Sequence, residues 1–349
     1  MATGNVKARI HIFLALFLAA FLFTGYFLRH TYSALLTSLF FAYLCNPLLK
    51  YLERKGFSRA LSLSLLYGIL ALAALFASFV IVPYVVHQVN AFTTSFPRYA
   101  QNLKGALDTW KLQLQPYYGD EELGWLADQA SDSLNRLMAE VSGRGYERLK
   151  GFLFALFDLM LAPVLVFFIL YYKEELKEMV LRFAPPDYRE ELIDLGRKIN
   201  WALQRYILAM VFDCLIVGVL CSVTLALLNV EFPVINGMLA GFATIVPFVG
   251  ALLSVIPPAL IGYAKSGDLT IIPKVCFIYF LINMVIEGNL IKPLIMQGTF
   301  RLNPLAVIFS VMALGEIMGF WGIVLAVPLV AVIKTCAGDI REELAGNAP

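Results

Sequence analysis

Residues 304–333 read PLAVIFSVMALGEIMGFWGIVLAVPLVAVI, thirty residues with a single charge at Glu316. A membrane span needs about 20 predominantly apolar residues, so this stretch is long enough to cross a bilayer. At about 1.5 Å per residue, Glu316 falls roughly 18 Å beyond Pro304, deep in the hydrocarbon. A central acid costs about 2.5–3.5 kcal/mol even on insertion-derived scales. A chain that keeps one needs it for binding, proton movement or helix pairing. Gly315, Gly319 and Gly322 surround it and leave bare backbone for close packing or a moving contact, and Pro328 is expected to break the helix again.

The rest of the chain has the same character. Of 349 residues, 60% are hydrophobic and 15% charged, against roughly 25% charged in soluble domains. Eight stretches are long and apolar enough to span: roughly 10–28, 32–52, 60–86, 151–172, 206–228, 236–263, 271–291 and 304–333. The first is no cleavable signal, because it runs into Arg29-His30 and a second span without a small-residue cleavage site. The expected fold is an all-α integral membrane protein of about eight transmembrane helices. Broken or kinked helices are expected in its C-terminal half, and an extracytoplasmic helical hairpin after the third span. Residues 1–86 would hold spans one to three, 87–150 the hairpin, 151–172 span four and 173–205 a cytoplasmic amphipathic linker. Residues 206–336 would form spans five to eight, the transport core, and 337–349 a cytoplasmic tail.

Positive charge sets the expected orientation. With a cytoplasmic N-terminus, seventeen Lys and Arg fall in cytoplasmic segments, three in short outer loops and seven in 87–150. That excess puts both termini in the cytoplasm. The net charge of +2 then reflects topology, and no nucleic-acid partner is expected. The five cysteines (Cys45, Cys214, Cys221, Cys276, Cys336) lie in or at the ends of apolar spans, and His11, His30 and His87 are scattered. Neither set has zinc spacing, so no cofactor or bound metal is expected beyond a transient monovalent cation at Glu287 or Glu316. There is no Gly-x-Ser-x-Gly elbow, HExxH or phosphate-cradling loop, which argues against an enzyme or an ATP-driven pump.

Within 87–150, Val89, Phe92, Phe96, Tyr99, Leu103, Leu107 and Trp110 share one helical stripe that Pro97 could interrupt. The stripe packs either within the hairpin and on the membrane or between protomers. In 173–205 a break at Ala184-Pro185-Pro186 precedes a helix whose apolar stripe (Leu192, Leu195, Ile199, Ala202, Tyr206) is rimmed by Arg189, Arg197 and Lys198. Such a helix suits the inner membrane surface.

From residue 236 the apolar sequence turns irregular. Gly237 and Gly241 form a small-xxx-small face for close helix packing. Pro247, Gly250, Pro257 and Pro258 then interrupt the helix, which at membrane depth is tolerated only inside protein or along a watery cavity. Asn283 and Glu287, four residues apart, share a helix face and could form a cation or proton site or tie two helices together. Asp213 and Asp158 are two further acids within spans, Asp158 the weaker candidate.

The sequences Ile245-Val-Pro-Phe-Val-Gly250, Glu287-Gly-Asn-Leu-Ile-Lys-Pro293, Arg301-Leu-Asn-Pro-Leu305 and Gly315-Glu-Ile-Met-Gly-Phe-Trp-Gly322 together resemble the autoinducer-2 exporter family. The likeness extends to Asn46-Pro47 with its basic turn Arg54-Lys55-Gly56 and to the insertion after span three. It implies about eight spans, homo-oligomeric assembly in a bacterial inner membrane and export of small solutes without ATP. Some members of that family are described as autoinducer-2 exporters and others as sodium or lithium/proton antiporters. The leading expectation is therefore a secondary transporter or exporter of a small solute. Glu287, Glu316, Asn283 and Asp213 are its candidate coupling residues. A sodium/proton antiporter is the first alternative and a non-transporting membrane scaffold the second. Besides the lipid bilayer, the expected partners are the solute, a monovalent cation or proton, and further copies of the chain.

Overall fold

The computed structural model describes residues 23, 29–115, 124–125, 127–133, 135–136, 161–182, 189–246, 249–291, 303–331 and 333. The expected first span (10–28, apart from Phe23), the second hairpin helix in large part, and the 337–349 tail lie outside these residues. The described residues are helices and their connections, with no strand among them.

Helix α1 (Arg29–Arg54) ends in a turn where Gly56 sits at φ 91°, a conformation that a side chain would strain. Ser58 caps α2 (Arg59–Phe76), its hydroxyl accepting from the Leu61 amide at 3.5 Å. The helix passes through a π-wound turn (Ala77–Ile81) straight into α3 (Val82–Leu114). Span three and the first hairpin helix are thus one continuous rod, and Pro97 lies inside it without interrupting it.

Helix α4 (Leu161–Tyr171) returns beside α2. The Arg59 guanidinium donates to the Leu170 carbonyl at 2.6 Å, and the Tyr67 hydroxyl to that of Pro163 at 2.5 Å. Between α1, α2 and α4 lies a small core of Cys45, Leu49, Leu63, Leu66, Val166 and Leu170. Beyond that core α2 and the π-wound turn carry large apolar side chains outward, Leu72, Phe76 and Phe79 among them, as a lipid-facing helix should.

After α5 (Lys173–Arg182) comes α6 (Arg189–Leu227), 39 residues long, or about 58 Å. The amphipathic linker helix and span five are one helix. Its start, with Arg54, Arg59 and Lys173 nearby in the bundle, marks the basic end. At its other end, the strap end, Tyr99 of α3 joins the apolar cluster of Val217, Cys221 and Leu225 on α6.

The expected single crossing over 236–263 is not what the chain does. Helix α7 (Pro233–Ala243) runs back down α6, and α8 (Val249–Ser254) and α9 (Ile256–Ser266) return to the strap end. The two ends meet there: Lys265 Nζ lies 3.5 Å from the Glu231 carboxylate and donates to the Asn229 carbonyl at 2.9 Å. Residues 233–266 are therefore a re-entrant hairpin, whose first arm of 11 residues reaches about 16 Å into the bundle. Lys265 and Lys274 belong to the strap end, not the basic end, so two of the seventeen charges expected in the cytoplasm lie at the other end.

Helix α10 (Ile271–Phe280) then descends and becomes π-wound over Leu281–Ile291. The last apolar stretch divides into α11 (Pro304–Met318) and α12 (Phe320–Ala331). Asn303 caps α11 by accepting from the Leu305 amide at 2.9 Å. The division falls at Gly319, with φ 62° and ψ −137°, instead of at Pro328, which lies inside α12. Beyond Gly319 the chain folds back so tightly that a Cβ on Gly322 would lie 1.8 Å from the Leu314 carbonyl oxygen.

By length and hydropathy, five described helices could cross a membrane. One of them, Val249–Ser266, is the returning arm of the hairpin.

Candidate transport site

Glycine brings the hairpin into place. A Cβ on Gly241 would lie 2.3 Å from the Cys214 carbonyl oxygen, and one on Gly237 would lie 2.5 Å from that of Gly218. No side chain fits at either position, so α7 lies directly on the α6 backbone. At the tip, a Cβ on Gly250 would lie 1.7 Å from the Ala243 carbonyl oxygen, so glycine is what lets the two arms close. Pro257 and Pro258 sit in the first turn of α9, where a missing amide costs nothing. They mark the kink after Ser254 without breaking a helix interior. Pro247 lies outside the described residues, as does Asp158.

This packing sets the tip beside the middle of α6. Thr244 lies 3.4 Å from the Cys214 sulfur, hydroxyl to thiol. Asp213, 6% exposed, is the neighbouring residue on α6. Glu287, 4% exposed, comes from the π-wound segment and lies within electrostatic reach of both Cys214 and Cys221. Asp213 acts on Cys214 and on Tyr206 in the same way. Two buried carboxylates thus flank the Cys214 turn of α6, one on α6 itself and one on the strand of helix opposite.

The second break reaches the same depth. Val324, just past Gly319, shares an apolar cluster with Ile245 from the hairpin tip and with Tyr206, Ile207 and Met210 of α6. Trp321 packs on that cluster and against Phe40 of α1 at 5.7 Å. The two interrupted segments therefore meet at their tips, next to the acids. At the tips, the amides of Thr244, Ile245, Val246 and Gly250, and those of Gly319 and Ile323, are bonded within their own turns; broken helices of this kind line polar paths in membrane transporters.

The remaining sequence candidates fall as follows. Asn283 is half-buried one turn before Glu287 and donates to the Tyr279 carbonyl at 2.8 Å. Its carbonyl oxygen therefore has the freer geometry of the two amide atoms. Glu316 is exposed on α11, three residues before the Gly319 break, and is not among the buried acids. Gly315 and Gly322 pack inside the α11–α12 fold, where a Cβ on Gly315 would lie 3.2 Å from Ile323 Cγ1. Sequence reasoning passed over Thr244, Cys214 and the Tyr279–Cys221 contact. Only the adjacency of Cys214 to Asp213 could have pointed to the first two. No cluster of three metal-ligating side chains occurs among the described residues.

At the strap end, the Tyr99 hydroxyl donates to the Glu231 carboxylate, Asn102 donates to the Ala264 carbonyl at 2.9 Å, and Trp110 lies on Tyr263 at 5.9 Å. The Tyr99 stripe thus packs on the hairpin's outer ends. The apolar run stops near residue 86, so Tyr99 lies beyond the span. Burial, then the hydrogen bond to Glu231, pushes its hydroxyl pKa up to about 12. Beneath it, Asn229 and Phe232 both sit at φ 56°, which for bulky Phe232 is a strained backbone. Phe92, at 5.4 Å and 87°, and Tyr99, at 6.3 Å and 75°, hold the Phe232 ring.

Residues 12–342 match the sequence model described as the AI-2E family transporter. The chain belongs to the AI-2E transporter family. It is 25% identical over 303 residues to "Putative transport protein YrrI" of Bacillus subtilis (strain 168), covering 86% of this chain and 84% of that protein. It is 26% identical over 324 residues to "Putative permease PerM" of Escherichia coli (strain K12), covering 92% and 91%. It is also 26% identical over 302 residues to the "AI-2 transport protein TqsA" of the same strain, covering 85% and 82%. With its apolar helices, this membership makes the chain a multi-pass membrane protein of a transporter family.

Proposed function

We propose that this AI-2E family member is a secondary transporter of a small polar solute, driven without ATP. The solute path passes the facing tips of the two folded-back segments. One observation carries this reading: two broken helices meet at mid-depth beside two buried carboxylates, Asp213 and Glu287. Buried acids in a membrane are costly, and both lie beside the helix breaks. Passage of a proton or cation along these acids would couple solute movement to an ion gradient. Glu316, exposed near the Gly319 break, serves as an entry contact, where an acid at this depth must face water or another protein surface. The name of the relative TqsA supports a solute of the autoinducer-2 class. The excess of basic residues at the Lys173 end supports a cytoplasmic location for that end in a bacterial inner membrane. Glu287→Gln removes solute flux in inverted vesicles while expression and unfolding temperature hold. Wild-type flux in that variant refutes the assignment.

A further inference from the structure

At the basic end, α1, α4, α5 and α6 line a cavity of about 180 Å³ whose wall includes Tyr43, Asn46, Lys173 and Asn200. Asn46 is buried; its side-chain amide donates to Gln204 at 3.3 Å, and its oxygen accepts from Lys173 Nζ at 3.4 Å. Lys173 has no carboxylate within ion-pairing distance among the described residues. The charges acting on it are those of Lys50 and Arg59 against Glu174 and Glu53, so with its own the group is net positive. Burial, then repulsion from Lys50, holds its ammonium below the usual lysine range. A bound anion would offset that repulsion.

A second cavity, of about 290 Å³, is walled by the same Ile169 and Leu176 and continues along Leu35, Phe168 and Met179, with Glu175 at its rim. Leu35, Phe168 and Met179 are exposed. From Asn46 to Leu35 is eleven residues of one helix, about 16 Å, close to half of the ~30 Å hydrocarbon core. Tyr172, exposed, lines the second cavity between the shared Ile169 and Leu176, and Tyr171 beside it is exposed too; aromatic side chains of this kind mark the headgroup level. A charged polar chamber at that level opens into an apolar groove one leaflet deep.

We propose that this pair of cavities is a binding site for an anionic phospholipid, its phosphodiester on Lys173 and Asn46 and one acyl chain in the groove along Leu35 and Phe168. A soluble phosphate shares the headgroup chemistry but leaves the groove unused. Only a lipid uses both compartments, and an anionic one answers the net positive charge. Basic pockets between membrane helices at the cytoplasmic surface suit such headgroups.

The test is native mass spectrometry of the purified protein titrated with dioleoyl-phosphatidylglycerol, dioleoyl-phosphatidylcholine or inorganic phosphate. Wild type binds phosphatidylglycerol at least about fivefold more tightly than phosphatidylcholine, the effect expected of one lysine on an anionic headgroup. Lys173→Gln abolishes that preference, Lys173→Arg keeps it, and Leu35→Trp, which fills the groove, weakens binding of phosphatidylglycerol. Unchanged preference in Lys173→Gln overturns the proposal. So does phosphate that competes at equal occupancy with Leu35→Trp without effect, because the site then belongs to a soluble anion. Unfolding temperatures of the three variants identify any that fail to fold, and the Gln/Arg comparison stands independently of the groove variant.

Discussion

Replacing Gly241 with alanine adds a Cβ 2.3 Å from the Cys214 carbonyl oxygen and 3.1 Å from the Gly218 Cα. Even a weak C–H···O contact keeps carbon and oxygen about 3.3–3.6 Å apart, so α7 must retreat from α6 by about 1 Å. All three nearest atoms are backbone, and no side chain can rotate away to absorb the overlap. Overpacking of this kind costs about 1–3 kcal/mol, while glycine to alanine inside a helix returns about 1 kcal/mol. The expected result is a net loss of up to about 2 kcal/mol, together with displacement of Thr244 from Cys214. Gly105 in α3 is the matched control. Nothing lies within 4 Å of its Cβ position, so Gly105→Ala gains helix propensity without overlap, about 1 kcal/mol. Thermal unfolding of both variants in one detergent measures the difference. At roughly 2 °C per kcal/mol for a chain of this size, Gly241→Ala should unfold several degrees below Gly105→Ala and transport more slowly. Equal unfolding temperatures would refute the direct α6–α7 backbone contact.

Three further outcomes follow from the strap end. Tyr99→Phe leaves Glu231 with Lys265 alone and loosens α3 over the hairpin by about 1 kcal/mol, read as faster amide exchange in 90–105. Because the folded pKa of Tyr99 is raised, to about 12, its contribution is complete below the unfolded value near 10 and is lost as pH rises from about 10 to about 12; the same exchange measured across that window should follow it in wild type and not in Tyr99→Phe. Phe232→Ala removes the ring between Phe92 and Tyr99 and should cost about 3 kcal/mol in unfolding experiments. Asp268 accepts from the Thr270 amide at 2.9 Å and the Thr270 hydroxyl at 2.6 Å, contacts that hold its carboxyl below the usual range. The turn is therefore tight above the unfolded carboxylate pKa and loosens as pH falls through the folded one, a dependence that exchange at 268–272 should lose in Asp268→Asn.

The membrane class was legible because apolar length is a sequence property: residues 29–114 and 304–333 announce it without any contact. Direction was not. Hydropathy counted 236–263 as a crossing, since it measures how much apolar chain is present and not where its ends go. The reversal depends on Gly250 fitting against Ala243 and on Glu231 meeting Lys265, pairings 7 and 34 residues apart that no local pattern encodes. Opposite charges at the two ends of that run were the available hint. Pro328 drew attention as the helix breaker, yet the bend falls at Gly319, where a left-handed φ is open to glycine and the fold-back can begin. Of the acids, Glu316 stood out because its surroundings are the most apolar in sequence. The structure buries Asp213 and Glu287 beside the Cys214 turn and leaves Glu316 exposed, since helix packing, not hydropathy, decides which acids are buried.

Proton movement in proteoliposomes of the purified protein, followed with an enclosed pH-sensitive dye as solute or sodium is added, probes Asp213 and Glu287 most directly. Wild type should give a solute-dependent pH change that both Asp213→Asn and Glu287→Gln abolish while their unfolding temperatures stay within a few degrees of wild type. A pH change of wild-type size in either variant would remove that carboxylate from the transport path.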